Sequence, residues 1–107
     1  MSESDIGHRE VYELAVEEWG REAQIMMAIE ECSELIKELT KLYRGDTVSQ
    51  NVAEEVADVE IMMEQCRVMF GETDVNSHKT QKLERLRARL ERSQDTDVGQ
   101  SEGVGNE

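Results

Sequence analysis

The feature that most constrains the fold is an apolar stripe in the middle of the chain. From about Arg21 to Arg44, apolar side chains recur every three or four residues, and Gly45 follows as a natural helix stop. The stripe consists of Ile25, Ala28, Ile29, Cys32, Leu35, Ile36, Leu39, Leu42 and Tyr43. Since this period matches one face of an α-helix, the segment predicts a long amphipathic helix.

Three further helices are predicted around this one, and glycines rather than prolines separate them. The first covers about residues 8–19, the third runs from the turn after Gly45 to about Phe70, and the fourth covers about residues 74–90. Proline is absent and aromatic residues are few, a composition that favours helix over sheet. The sequence therefore predicts an all-α fold, an antiparallel four-helix bundle-like protomer.

The third segment carries two local predictions. Thr47 and Gln50 have the spacing of a capping box that opens the helix. Apolar residues then lie on several sides of the helix, so we expect it to be buried nearly all round. Cys66 in this helix and Cys32 in the second lack the close partners of a metal or redox motif, and we expect both thiols to pack in the core.

The ends of the chain are polar. Residues 1–7 and the acidic segment 93–107 are predicted to be disordered, which leaves one helical domain over residues 8–92. A folded region of about 85 residues buries only a modest core. We therefore expect the protein to form a homo-oligomer, a dimer or a tetramer, which would bury more apolar surface.

The formal net charge of −13 limits the partners of the chain. An acidic surface repels the backbone of nucleic acids and anionic membranes, so neither is expected to bind. The first ten residues lack a signal sequence and no apolar run is long enough to span a bilayer, so we expect a cytoplasmic protein. His8 and His78 lie near predicted helix starts and are expected to be exposed bystanders.

Two acidic pairs stand at helical spacing in the second and third predicted helices. Glu31 and Glu34 are three residues apart, as are Glu55 and Asp58, and twenty residues separate the pairs. Residues three apart lie about 60° apart around a helix and one turn along it, so each pair can hold one hard cation. Because a short loop folds the third helix antiparallel to the second, the two pairs are predicted to face one another.

Four converging carboxylates repel one another and raise their own pKa values unless a cation lies between them. Ligation by oxygen alone favours Mg²⁺, with Mn²⁺ as a substitute, over zinc. Among 25 acidic residues in 107, single pairs of this kind also arise by chance on solvated helix faces. The joint pattern of two facing pairs is what predicts a metal site.

The order EExxE, a gap of twenty residues and then ExxD resembles the signature of the MazG-like all-α nucleoside triphosphate pyrophosphohydrolases. AVEEWGREAQIMMAIEECSELIKEL is similar to the opening of short, single-domain members found in phages and prophages, EEVADVEIMMEQ to their third helix, and KLERLRARL to their closing helix. The resemblance spans nearly all of residues 8–92. It implies Mg²⁺-dependent cleavage between the α- and β-phosphates of a nucleoside triphosphate, giving the monophosphate and pyrophosphate.

The resemblance also assigns roles by position. The implied metal ligands are Glu31, Glu34, Glu55 and Asp58. In the family the metal grips the triphosphate, which fits the general chemistry of metal ions that neutralise phosphate oxygens and activate water. Glu34 is expected to act in catalysis as well as in ligation. Glu38, one turn further along, and Glu30 are candidates for orienting the water or acting as its base.

The expected substrate-binding residues come from two places. Lys82 and Arg85 match the K-x-x-R step of the family's last helix, with Lys79 one turn earlier, and are expected to contact the departing pyrophosphate. The same residues also suit an ordinary solvated helix. Trp19 and Gln24 flank the acidic face of the second helix, where a base would stack on the indole and bond to the amide. Trp19 suits the core equally well.

Two other classes of protein also place acidic residues on helices. Di-iron carboxylate bundles use Glu-x-x-His pairs, whereas Glu34 and Asp58 stand at the corresponding positions here and no histidine lies on the second or third helix. The second alternative is a non-catalytic acidic helical interaction module, whose acids provide solubility while its methionine-rich stripe packs on a partner. Such a module would tolerate Glu55→Gln and Asp58→Asn and would bind no stoichiometric Mg²⁺.

Overall fold

The computed structural model describes residues 2–96, with side chains described for 7–95. Four α-helices follow one another: α1 (Ser2–Trp19), α2 (Arg21–Tyr43), α3 (Ser49–Phe70) and α4 (Glu72–Thr96). No strand occurs in residues 2–96. The predicted all-α class and the number of helices are therefore confirmed.

Glycines separate the helices, as the sequence predicts. Gly20, Gly45 and Gly71 have φ angles of 94°, 79° and 107°, in the region where any residue with a β-carbon is strained. Gly20 joins α1 directly to α2, and Gly71 joins α3 directly to α4. A single glycine is thus enough to end one helix and let the next begin.

Two helices are longer than predicted. α1 begins at Ser2, six residues before the predicted start, because the opening Ser-Glu-Ser-Asp supplies residue types favoured at a helix N-terminus. α4 continues to Thr96, past the predicted end near Leu90, because no glycine or proline interrupts it before Gly99. Residues 97–107, which hold most of the predicted disordered tail, lie outside the described residues.

The predicted capping box at Thr47 is wrong. α3 begins at Ser49 with Val48 as its N-cap, and no side chain caps it. The Thr47 hydroxyl instead donates to Glu38 Oε1 of α2 at 3.0 Å and accepts a hydrogen bond from Asn51 Nδ2 at 3.0 Å. The threonine therefore links the two helices across their connecting loop.

The chain divides into two compact units, one ending at Glu72 and the other beginning at Thr73. Within the first unit α2 packs most extensively against α3, and α1 packs against both. The second unit contains α4 from Thr73 onward. The prediction of one helical domain over residues 8–92 stays a prediction.

The most buried side chains of the described part lie where α2 meets α3. They are Gln24, Ala28, Met62 and Gln65. The expectation that α3 is buried nearly all round is wrong for the single chain: Val56, Ile61, Met63 and Phe70 each remain more than one-third exposed. Burial against α1 and α2 covers only part of the helix, and its other apolar faces meet solvent.

The cysteines are free and half-buried rather than enclosed. Cys32 and Cys66 line an apolar groove together with Ile29, Ile36 and Phe70. Burial, and then the nearby Cys32, raise the pKa of the Cys66 thiol. The prediction of core packing is thus only partly met.

None of the helices in residues 2–96 has a stretch long and apolar enough to cross a bilayer. The cytoplasmic location stays a prediction, as does the homo-oligomer. His8 and His78 are exposed, as expected.

Candidate cation site

Three of the four predicted ligands meet between α2 and α3. Glu31 of α2 and Glu55 and Asp58 of α3 each place one carboxylate oxygen within 4.8 Å of the others. The three-residue step from Glu55 to Asp58 puts both side chains on neighbouring positions of one helix face, and the antiparallel hairpin brings Glu31 opposite them. A spread of this size is on the scale of oxygen ligands around one hard cation, about 3 to 5 Å.

One oxygen atom of this cluster is unusual. Glu55 Oε1 is buried and has no hydrogen-bond partner among the described residues. A buried carboxylate oxygen without a partner costs free energy, and such atoms are rare in folded proteins. The donor set is made of carboxylate oxygens alone, the type preferred by Mg²⁺ and Ca²⁺. The residues present therefore fit a divalent cation.

The charges of the cluster perturb one another. Partial burial raises the pKa of Glu31, and the neighbouring carboxylates, Asp58 before Glu30 and Glu34, raise it further. Burial likewise raises the pKa of Glu55, followed by Asp58 and then the other acids of α2. Both carboxyl groups thus gain from a proton or a cation that offsets the repulsion.

Glu34 lies next to the cluster without joining it. It is half-buried, and its charge raises the pKa values of both Glu31 and Glu55. Its carboxylate is not part of the group whose oxygens lie within 4.8 Å of one another. Its predicted roles in ligation and catalysis stay predictions.

The two other catalytic candidates differ in their surroundings. Glu30 is exposed, and its carbonyl oxygen accepts a hydrogen bond from Ser33 Oγ at 2.8 Å. Glu38 is half-buried: Oε1 accepts from Thr47, and Oε2 lies 3.4 Å from Lys41 Nζ. Because both oxygens of Glu38 already have partners, its carboxylate is tied to the loop between α2 and α3. The catalytic roles of both residues stay predictions.

The two residues expected to bind the nucleobase of the substrate differ strongly in their exposure. Trp19 is 64% exposed, so the alternative of a core tryptophan does not hold in the described structure. Gln24 is only 4% exposed, and its Nε2 donates to Gln65 Oε1 at 2.6 Å. The amide nitrogen expected to bind a base is therefore engaged between the helices. The substrate contacts of both residues stay predictions.

Gln65 is a site neighbour that the sequence reasoning did not assign. It lies on the same face of α3 as Asp58 and Met62 and is only 5% exposed. A signal was available, since a polar amide stands there among apolar residues at the spacing of one helix face. What the sequence did not reveal was its partner.

The predicted phosphate contacts lie in the second unit. Lys79, Lys82 and Arg85 are exposed on α4. Lys82 and Arg85 line one surface depression together with Arg89 and Arg92. These four residues follow each other at steps of three or four, so they form one basic face of the helix. Their contact with pyrophosphate stays a prediction.

Comparison with known proteins finds no matching family model, curated protein or solved structure. The resemblance to the MazG-like family therefore rests on the motifs quoted above.

Proposed function

We propose that this chain is a Mg²⁺-dependent nucleoside triphosphate pyrophosphohydrolase that cleaves between the α- and β-phosphates. The observation that carries the proposal is the buried, unpartnered Glu55 Oε1 within a cluster formed with Glu31 and Asp58. A cation bound there relieves both the repulsion of the carboxylates and the missing partner of this oxygen.

The acidity of the chain fits this substrate only with a cation. With a formal net charge of −13, the protein repels a bare triphosphate. A metal ion must therefore lie between the carboxylates and the phosphates. Bound Mg²⁺ neutralises phosphate oxygens and lowers the pKa of a coordinated water. Mn²⁺ is expected to substitute, because it accepts the same oxygen ligands.

The residues of this chain divide the work by position. Glu31 of α2 and Glu55 and Asp58 of α3 hold the cation. Glu34 of α2 lies next to this cluster and adds to its negative charge. Glu34 is also the carboxylate that we expect to orient water or accept its proton, because its charge acts on both Glu31 and Glu55, whereas Glu38 is engaged with Thr47 and Lys41. Trp19, exposed at the end of α1, offers an indole face on which a base can stack.

One observation favours the second candidate, a non-catalytic interaction module. Many large apolar side chains are exposed on the described helices, and the groove lined by Ile29, Ile36 and Phe70 is almost entirely apolar. Surfaces of this kind often bind other proteins or further copies of the same chain. They do not explain why acidic groups converge on a buried oxygen atom, so we place this function second.

Product analysis by ³¹P NMR tests the proposal. With Mg²⁺ and a panel of canonical and modified nucleoside triphosphates, the wild type is expected to give monophosphate and pyrophosphate, and EDTA is expected to stop the reaction. Diphosphate with inorganic phosphate would contradict cleavage at the α–β bond. No product from any triphosphate, at low or high salt, would favour the interaction module.

A further inference from the structure

Polar side chains pair across α2 and α3 at regular intervals. Gln24 bonds to Gln65, and seven residues further along α2 stands Glu31, which faces Asp58, seven residues earlier on α3. Seven residues are two helical turns, or about 10.5 Å. In an antiparallel pair, equal and opposite steps lead to facing residues. The glutamine pair and the acidic cluster therefore belong to one register of the two helices.

A second tie lies at the same distance on the other side of the cluster. Seven residues beyond Glu31 is Glu38, and seven residues before Asp58 is Asn51. Thr47 connects them, because its hydroxyl donates to Glu38 Oε1 and accepts from Asn51 Nδ2, both at 3.0 Å. The acidic cluster is thus bracketed by a direct amide pair on one side and a threonine bridge on the other.

The two ties differ in burial. Gln24 and Gln65 are 4% and 5% exposed, whereas Asn51 is exposed and Glu38 and Thr47 are half-buried. Breaking a buried hydrogen bond leaves both groups without water to replace the lost partner, so the amide pair discriminates more strongly against a shifted register. A shift by one turn, about 5.4 Å, would separate the two amides completely.

The apolar contacts near the amide pair discriminate less between alternative registers of α2 and α3. Ala28 and Met62 are the two buried apolar residues of the described part, and both lie between the glutamines and the acids. Alanine is small and methionine is flexible, so this layer tolerates several alignments of the helices. Arg21 adds a contact at the same end, donating to the Met69 carbonyl at 3.0 Å. That side chain is exposed, so water can replace the bond.

We propose that the buried Gln24–Gln65 hydrogen bond is the register lock that holds Glu31 opposite Asp58, which makes the two glutamines positioning residues of the cation site. A buried polar pair that selects one alignment over others has this role in some helical assemblies. The register is a property of the fold, while its importance for a cation rests on the proposed function.

The test replaces the glutamines singly and together with leucine, and measures Mn²⁺ affinity by calorimetry and stability by urea unfolding. Gln24→Leu and Gln65→Leu alone each leave one amide buried without its partner, so both the urea midpoint and the Mn²⁺ affinity are expected to fall. The double variant removes both amides. Its urea midpoint is expected to return towards the wild-type value, while its Mn²⁺ affinity stays at least tenfold weaker than wild type.

A recovered urea midpoint with a weakened Mn²⁺ affinity distinguishes positioning from general stability. If the two glutamines were purely structural, the double variant would recover the urea midpoint and the Mn²⁺ affinity together. The matched control changes two exposed glutamines, Gln50→Leu with Gln81→Leu, and is expected to keep wild-type Mn²⁺ affinity. Wild-type affinity in the Gln24→Leu/Gln65→Leu protein would overturn the proposal. If that protein does not fold, Gln24→Met with Gln65→Met replaces it, because the flexible thioether fills gaps more readily.

A readout without metal keeps the register claim independent of the proposed function. In the folded Gln24→Leu/Gln65→Leu protein, NMR is expected to show more than one set of resonances for α3, one for each alignment of the helices. The nuclear Overhauser effect between the side-chain methyl groups at positions 24 and 65 is expected to be weak, because the two positions face each other only part of the time. A single set of resonances with a strong methyl contact would overturn the lock. If the wild type binds no Mn²⁺, the cation site fails and the NMR result still decides the register.

Discussion

A divalent cation is expected to stabilise the wild-type protein, and Glu55→Gln is expected to abolish that effect. Glu55 supplies the buried oxygen atom that has no protein partner, and its neighbours Glu31 and Asp58 complete the cluster. Glutamine keeps the size of the side chain but removes its charge. Glu54→Gln makes the same change on the exposed neighbour, so it is the matched control.

The expected rise in Tm follows from the free energy of cation binding and from the size of the unit that holds the site. A ligand present at 100 times its Kd adds about 2.7 kcal/mol to the free energy of unfolding. The site lies in the unit that ends at Glu72, a size for which each kcal/mol moves Tm by about 4–8 °C. Saturating Mn²⁺ is therefore expected to raise Tm by about 11–22 °C in the wild type and in Glu54→Gln.

Without a metal, removing the charge of Glu55 is expected not to lower Tm. Because the folded state raises the pKa values of Glu31 and Glu55, protonation favours folding below the ordinary glutamate pKa of about 4.3. That contribution is lost as the pH rises through the raised pKa values. At pH 7 the Glu55→Gln protein has one repelling charge fewer, so in EDTA it is expected to melt no lower than wild type.

Differential scanning calorimetry with Mn²⁺ and with EDTA measures both effects. A large cation-dependent rise in Tm that survives Glu55→Gln would show that the cation binds elsewhere and not at the Glu31, Glu55 and Asp58 cluster. A metal-free Glu55→Gln protein that melts well below both wild type and Glu54→Gln would show instead that the carboxylate stabilises the fold without a metal.

Three further outcomes are expected. Mn²⁺ affinity measured by calorimetry should weaken as the pH falls towards the raised pKa values of Glu31 and Glu55, since protons then compete with the cation; a flat profile would contradict this competition. Glu38→Gln keeps an acceptor for Thr47, so turnover should fall less than tenfold, and a thousandfold loss at unchanged Mg²⁺ affinity would make Glu38 the general base. Met62→Ala removes a buried side chain and should cost about 2–5 kcal/mol in urea unfolding, whereas a cost under about 1 kcal/mol would mean that the site is not closely packed.

Local chemistry explains what the sequence predicted well. The apolar period of three to four residues and the glycines at the breaks define α2 and its neighbours, because both features act within a few residues of the chain. The acidic pairs could be assigned to a common face for the same reason. A short loop between α2 and α3 then leaves an antiparallel hairpin as the simple way to bring Glu31 near Glu55 and Asp58.

The remaining details depend on the register between helices, which periodicity alone leaves open. A shift of one turn preserves every apolar stripe but changes which polar residues face each other. Thr47 therefore fits a capping box by its sequence and yet bonds to Glu38. Gln24 likewise suits contact with a nucleobase by its position in the sequence, and yet its amide bonds to Gln65. The exposure of apolar faces on α3 was missed because a single chain has too few neighbours to cover them.

The most direct test of the central claim is the rate of pyrophosphate release from nucleoside triphosphates by wild type, Asp58→Asn and Glu60→Gln, each with Mg²⁺ and with EDTA. Asp58 belongs to the acidic cluster, whereas Glu60 is an exposed acid two residues further along α3. We expect Mg²⁺-dependent release by wild type and Glu60→Gln, and a loss of at least about a hundredfold in Asp58→Asn, in keeping with the loss of a metal ligand. Equal release by all three proteins, or release that persists in EDTA, would contradict it.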